Sequence, residues 1–179
     1  MTSSDLPTDG ESSRTLLLLR HAKAETWSSA EGDHGRRLSG RGRRDAAEAG
    51  RWLVANGYQP DVVLCSSSTR TRETWAAVAG ELAGAGEGVE LVNEDRIYDA
   101  HVDDLLAVVR EVEPTKRTVL LVGHAPGVPA LAALLDRSGS SELESHFPTC
   151  AVAALTVHSS WDSLDEDGAT LAAFATPRG

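Results

Sequence analysis

The chain of 179 residues carries 17 Lys+Arg against 27 Asp+Glu, a formal net charge of −10, with 41% hydrophobic and 25% charged residues. That balance excludes a disordered chain, a generic nucleic-acid binder and a polybasic membrane-surface protein. The charge is nonetheless segregated: residues 1–13 sum to −3, residues 14–72 to +5 and residues 73–179 to −12. An otherwise acidic protein thus holds one stretch suited to a local anion site. All its bases except Lys23 and Lys116 are arginines, a bias that forked recognition of oxyanions and an Ala- and Gly-rich composition explain equally well.

Residues 1–13 have neither the basic nor the apolar region of a signal peptide and read as a solvated, disordered tail. Thr15–Leu19 is an apolar run fit for a buried strand, and its leucines fall far short of a membrane span. After a polar loop through Leu38, Ser39 is placed as the N-cap of a helix that continues to Asn56, where Gly57 stops it. Ala46, Ala49, Gly50 and Leu53 give that helix a narrow core stripe. Asp61–Cys65 is a second buried strand. Thr69 to about Ala83 is a second helix, with Thr71, Trp75, Val78 and Leu82 on one face. Val89–Val92 reads as a short strand, His101–Val112 as a helix ended by Pro114, Thr118–Val122 as a third buried strand, and Pro126–Leu135 as a helix. Residues 136–148 read as a loop, followed by strands at Ala151–Val157 and Thr170–Ala175. Strands alternating with helices predict a three-layer α/β/α sandwich with a mostly parallel sheet, formed by residues 14–179 as one domain. Cys65 and Cys150, in or beside strand-like segments, read as packed thiols of a reduced, cytoplasmic protein.

In such a sheet, functional groups gather at the carboxyl ends of the strands. The first strand ends Leu19-Arg20-His21-Ala22, the second Cys65-Ser66-Ser67-Ser68-Thr69-Arg70, and the third Val122-Gly123-His124-Ala125-Pro126-Gly127. Two arginines and two histidines are therefore expected at one edge. Arg20 and Arg70 can each fork onto phosphoryl oxygens, and Arg70 opens a helix whose free N–H groups favour the same anion. A neutral imidazole among them is a good nucleophile toward phosphorus, and nearby guanidinium charge lowers its pKa.

At these residues the sequence resembles the histidine phosphatase superfamily, which includes the phosphoglycerate mutases, and within it the small SixA-type phosphohistidine phosphatases. Four segments carry the resemblance: Leu-Arg-His-Ala-Lys-Ala-Glu at 19–25, Asp33 through Leu38-Ser39-Gly40-Arg41-Gly42, Cys-Ser-Ser-Ser-Thr-Arg-Thr-Arg-Glu-Thr at 65–74, and Val-Gly-His-Ala-Pro-Gly at 122–127. The resemblance implies a phosphoglycerate mutase-like fold. It implies His21 as the nucleophile that takes the phosphoryl group covalently, with Arg20, Arg70 and His124 completing the phosphate pocket and no metal or cofactor. The chain lacks room for the long insertions of the larger mutases, so mutase activity is not expected and a monomer is. Two departures stand out: Arg-His-Ala replaces the usual Arg-His-Gly, and Gly-His-Ala-Pro-Gly replaces Gly-His-Asn-Pro-Gly, which removes a side-chain hydrogen bonder at Ala125.

Members acting on phosphate monoesters use a carboxylic acid from the stretch that here reads Asn93-Glu94-Asp95-Arg96-Ile97-Tyr98-Asp99, making Glu94 or Asp95 the candidate acid, neither in clean register. Imidazole, with a pKa near 6.5, leaves with little help, so an ill-specified acid suits a phosphohistidine substrate better than an alkyl phosphate. Three functions follow: a phosphatase for phosphohistidine in a protein partner, a small-molecule phosphate monoesterase with the same chemistry, and a phosphate- or phosphoprotein-binding module without turnover. The spacing after Cys65 puts Thr71 where a cysteine phosphatase needs arginine, and no P-loop is present. Two neighbouring arginines disfavour a metal at His21 and His124. His34, His101, His146 and His158 are expected to be solvated or structural. Trp52 and Trp75 are expected to pack, as is Trp27, whose alternative place is the mouth of the substrate site. Arg36 and Arg37 flank the loop after the nucleophile, within reach of an acidic partner or second phosphate.

Overall fold

A computed structural model describes residues 13–27, 32–82, 88–140, 143 and 145–179; the tail expected over residues 1–13 lies outside this set except for Ser13. Six strands, β1 (Arg14–Arg20), β2 (Val62–Ser66), β3 (Glu90–Glu94), β4 (Thr118–Gly123), β5 (Val152–Val157) and β6 (Ala169–Ala175), form one sheet in the order β3-β2-β4-β1-β5-β6. β1 is parallel to β4, and β2 is parallel to both β3 and β4, while β5 runs antiparallel to β1 and β6. Among the described residues they are accompanied by the helices α1 (Gly32–Gly35), α2 (Gly40–Ala55), α3 (Thr69–Glu81), α4 (Val102–Arg110) and α5 (Gly127–Leu135). Leu143 and Ser145, within the stretch expected as a loop, are helical as well. The sequence periodicity places every strand and the four longer helices to within a few residues. It does not reveal the single turn of α1 or the 3-10 turn Asp95–Ile97, both too short to show a period.

The four consecutive leucines of β1 explain the layering. Successive side chains of a strand point to opposite faces, so Leu16 and Leu18 enter one apolar layer while Leu17 and Leu19 enter the other. The first layer holds α4 and α5 through Leu105, Val109, Val128 and Leu131, and the second holds α2 and α3 through Ala49, Leu53, Trp75 and Val78. A strand covered on both sides needs no polar alternation, and all four leucines are fully buried. Ser39 caps α2 as expected, its side chain accepting from the Gly42 N–H at 3.0 Å. The chain leaves β1 toward α2 on one face and leaves β4 toward α5 on the other. Because β1 and β4 are neighbours, their departing loops diverge and open a crevice at the carboxyl edge of the sheet. Among the described residues no helix is long and apolar enough to cross a membrane.

Candidate active site

The crevice collects the strand-end residues the sequence singles out. In the β1–β4 register Arg20 pairs with Gly123, and the His21 N–H donates to the Gly123 carbonyl at 2.9 Å. His21 and His124 are thereby brought together, with ring centroids 5.3 Å apart. Gly123 has no side chain because a Cβ there would press on the core, 2.9 Å from Val128 Cγ2 and 3.1 Å from Ile97 Cγ2. β2, on the other side of β4, delivers Ser66, whose hydroxyl lies 2.8 Å from His124 Nε2. It also leads into α3 and Arg70, which is only 5% exposed.

His21 is 8% exposed, and its Nδ1 lies 2.7 Å from the carbonyl oxygen of Ala22. A carbonyl only accepts, so Nδ1 carries the proton and Nε2 the lone pair. Burial pushes the His21 pKa down to about 4; the Ala22 hydrogen bond opposes that shift, and the charges of Arg70, Arg20 and Arg36 add to it. His124 is driven further, to about 3, by burial first and then by His21 and Arg70. Both imidazoles are therefore neutral at pH 7. Burial likewise lowers the Arg20 pKa, though not enough to discharge a guanidinium.

The guanidinium groups are tethered at one end and open at the other. Arg20 donates Nη1 to the Phe147 carbonyl at 2.8 Å. Arg70 donates Nη1 to the Asp33 carbonyl at 2.6 Å and Nη2 to the Asp33 carboxylate at 2.9 Å. Arg20 Nε, Arg36 Nε, Arg70 Nε and His124 Nδ1 are all buried without a hydrogen-bond partner among the described residues. Orphaned buried polar atoms are rare and costly, and four of them on residues at or beside one imidazole suit an oxyanion with several acceptor oxygens. Among the described residues no group of three or more His, Cys, Asp or Glu converges as metal ligands.

The structure does not bring the candidate acids to this cluster. The Glu94 carboxylate accepts from the Arg96 backbone at 3.0 Å and from Arg96 Nη2 at 2.8 Å, and Arg96 holds its pKa below the usual carboxylate range. Asp95 is exposed on the 3-10 turn. Glu94 pairs in register with Ser66, but its side chain lines a groove with Val92, Arg96, Val108 and Glu111 on the α4 side of the sheet. The carboxylate that does reach the site is Asp33, from α1. It also accepts from the Tyr98 hydroxyl at 2.8 Å, and the Tyr98 ring stands edge-on to His124 at 5.5 Å.

Tyr98 and the roles of Asp33 and His34 escape sequence reasoning. Asp33 is visible only as the start of a motif segment, and nothing in the pattern around Tyr98 marks it. His34, expected to be solvated or structural, joins the rim: its ring stacks edge-on to Tyr98 at 4.9 Å and its Nε2 lies 3.1 Å from the Ser67 hydroxyl. Trp27, expected to pack, is 58% exposed. Arg36 is half-buried beside Asp33 at 3.5 Å, whereas Arg37 is engaged by Glu73 at 2.8 Å. Cys65 is fully buried, its thiol pKa pushed up to about 12 by burial, as a packing residue requires.

Comparison with known proteins places this architecture. The sequence profile of the histidine phosphatase superfamily (branch 1) matches residues 16–105. An uncharacterised protein of Mycobacterium leprae is 33% identical over 168 residues, covering 89% of this chain and 100% of that protein. The chain belongs to the histidine phosphatase superfamily. Among solved structures, a SixA-type protein from Nakamurella multipartitia superposes with a TM-score of 0.81 at 36% identity, over 94% of this chain and 99% of that one. A SixA-type protein from Agrobacterium tumefaciens gives 0.76 at 28% identity, over 92% and 98%. The expected phosphoglycerate mutase-like sandwich is thus the fold observed.

Proposed function

We propose that the protein is a phosphohistidine phosphatase that works through a covalent phosphohistidine on His21. The observation that carries this reading is the fixed tautomer of His21. Its Nδ1–H is spent on the Ala22 carbonyl, so the lone pair on Nε2 is the one available to phosphorus, in an imidazole kept neutral by burial and three guanidinium groups. Nε2 attacks the phosphoryl group in line, the N–P bond to the substrate imidazole breaks, and that imidazole departs with a solvent proton. Water then attacks phosphorus and releases inorganic phosphate and free His21. Arg20, Arg70 and His124 hold the transferring oxygens and stabilise their charge.

The choice of substrate rests on leaving-group chemistry. An alkoxide needs a positioned acid, and Glu94 is committed to Arg96. Although burial opposes the shift, the hydrogen bonds from Tyr98 and Arg70 hold the Asp33 carboxyl below the usual range, ionised rather than able to donate a proton. Imidazole, with a conjugate acid near pKa 6.5, does not need a positioned acid. The SixA-type neighbours support the same class, with a phosphorylated protein as the partner.

The test is a panel of phosphohistidine peptides against sugar and glycerate phosphates. The expected outcome is a kcat/KM for phosphohistidine at least about a hundredfold above that for alkyl esters, lost by about 10³-fold or more in His21→Ala. Brief incubation of the wild-type protein with labelled phosphodonor should leave an acid-labile label on His21. Faster turnover of alkyl esters assigns a monoesterase instead. Undiminished activity in His21→Ala removes the covalent mechanism, and no turnover of any substrate leaves a binding module.

A further inference from the structure

The protein itself engages the Arg70 guanidinium from several sides. Asp33 takes Nη1 with its backbone carbonyl at 2.6 Å and Nη2 with Oδ2 of its carboxylate at 2.9 Å. The same Oδ2 accepts from the Tyr98 hydroxyl at 2.8 Å, and the Tyr98 ring lies under the guanidinium at 5.9 Å. The other carboxylate oxygen, Oδ1, lies 3.5 Å from Arg36 Nε. Only Arg70 Nε is left without a partner among the described residues. The carboxylate is thus lodged against two of the cations that border His21, and its charge is felt at His124.

This arrangement has a consequence for any oxyanion bound beside His21. A forked contact needs two N–H groups of one guanidinium; Asp33 takes two of the five on Arg70, leaving the Nε–H and one N–H on each Nη beside the carboxylate. An incoming phosphoryl group must share Arg70 with a carboxylate of like charge or displace it. Displacement is sterically open, because the Asp33 side chain is 44% exposed whereas that of Arg70 is 7% exposed; the carboxylate can turn to water while the guanidinium stays. The exchange trades one charge-assisted hydrogen bond for another, but the carboxylate is tethered and competes at the high local concentration that tethering confers.

Resting on the phosphoryl-transfer reading above, we propose that Asp33 is an internal competitor for the oxyanion site. Its carboxylate, steadied by the Tyr98 hydroxyl, occupies the outer edge of Arg70, weakens the binding of free oxyanions, and returns to displace inorganic phosphate after hydrolysis. A phosphohistidine carried by a protein has docking contacts with which to outweigh this competition, whereas free phosphate has none. The device therefore favours release of product over its retention.

Sulfate is a suitable probe, being a dianion throughout the accessible pH range. Its Kd is measured by calorimetry at pH 7.5 for the wild-type protein, Asp33→Asn, Tyr98→Phe and Arg70→Ala, beside the inhibition constant of inorganic phosphate during turnover. Asp33→Asn keeps an acceptor for Arg70 and removes the charge; it should bind sulfate about tenfold tighter, with phosphate inhibition tightened in parallel. Tyr98→Phe should shift both in the same direction by less, and it decides the matter alone if Asp33→Asn does not fold. Equal or weaker sulfate binding in the folded variants overturns the competitor and makes Asp33 a plain clamp on Arg70. If the wild-type protein binds sulfate through Arg70 and neither variant binds it tighter, only this inference falls. If the wild-type protein binds no sulfate and Arg70→Ala changes nothing, the phosphoryl pocket falls and the competitor with it.

Discussion

His21 owes its neutrality to burial first and to its cationic neighbours second, and this order fixes how the site responds to pH. An ordinary histidine titrates near 6.5, so a site built on one would lose activity below neutrality. With His21 held to about 4 and His124 to about 3, the acid limb of kcat/KM is expected well below pH 6, and a pH–rate profile measures it. Because the charge of Arg70 is a lesser cause than burial, Arg70→Gln should move that limb upward only modestly while lowering kcat/KM strongly. The same shifts bear on stability. Between the folded values near 3 to 4 and the unfolded value near 6.5, the unfolded chain binds more protons than the folded one. Stability therefore declines as pH falls through that window and loses nothing more from these two groups below it. His21→Ala and His124→Ala should flatten this decline in urea unfolding measured from pH 7 to pH 4.

At the scale of elements, the pairing of α2 with α3 sets the position of Arg70, since α3 begins beside the site and packs its length against α2. The contact is close at Gly50, where a Cβ would lie 2.7 Å from the Val78 carbonyl oxygen and 2.8 Å from Glu81 Cβ. A backbone oxygen cannot rotate away, so Gly50→Ala must push the helices apart. The expected cost is about 1–3 kcal/mol, read as a lower denaturant midpoint with an unchanged m-value. The arginines on the outer face of α2 behave differently. Arg51 pairs with Glu48 and with Glu81, and such exposed pairs contribute little; Asp45, which Arg41 meets at 3.5 Å, is buried instead. The sequence reading of this helix is accurate because its period is local: Ala46, Ala49, Gly50 and Leu53 recur at helical spacing, and all four are buried.

Across the whole molecule, the antiparallel strands β5 and β6 must be joined to the parallel half that carries the chemistry. Asp136, at the end of α5, provides one such joint. It is 3% exposed and accepts from the Leu171 N–H at 2.9 Å, the Ser140 N–H at 3.1 Å and the Ser138 hydroxyl at 2.7 Å. Asp136→Ala leaves the part-buried Leu171 N–H of β6 without its acceptor and should cost about 1–3 kcal/mol, measured by chemical unfolding. Asp136→Asn, which retains an acceptor, should cost less. The charge segregation also gains meaning at this scale. The +5 of residues 14–72 includes Arg20, Arg36 and Arg70 around His21, while most remaining arginines of that stretch are balanced by neighbouring acids such as Glu73, Asp45 and Glu48.

The layered sandwich and the meeting of Arg20, His21, Arg70 and His124 at one edge were legible in the sequence. Buried parallel strands announce themselves as unbroken apolar runs, and their carboxyl ends must fall together whatever the order of the strands. The order itself, which makes β1 and β4 neighbours and β3 an edge, is decided by long-range pairing that no local period records. The turn of the Glu94 side chain toward Arg96 is likewise settled only in three dimensions. The carboxylate set beside Arg70 is that of Asp33, a residue of a one-turn helix, held there by Tyr98 from the turn after β3. Such loop residues acquire a function from what the folded chain sets beside them, and spacing along the sequence carries no trace of it.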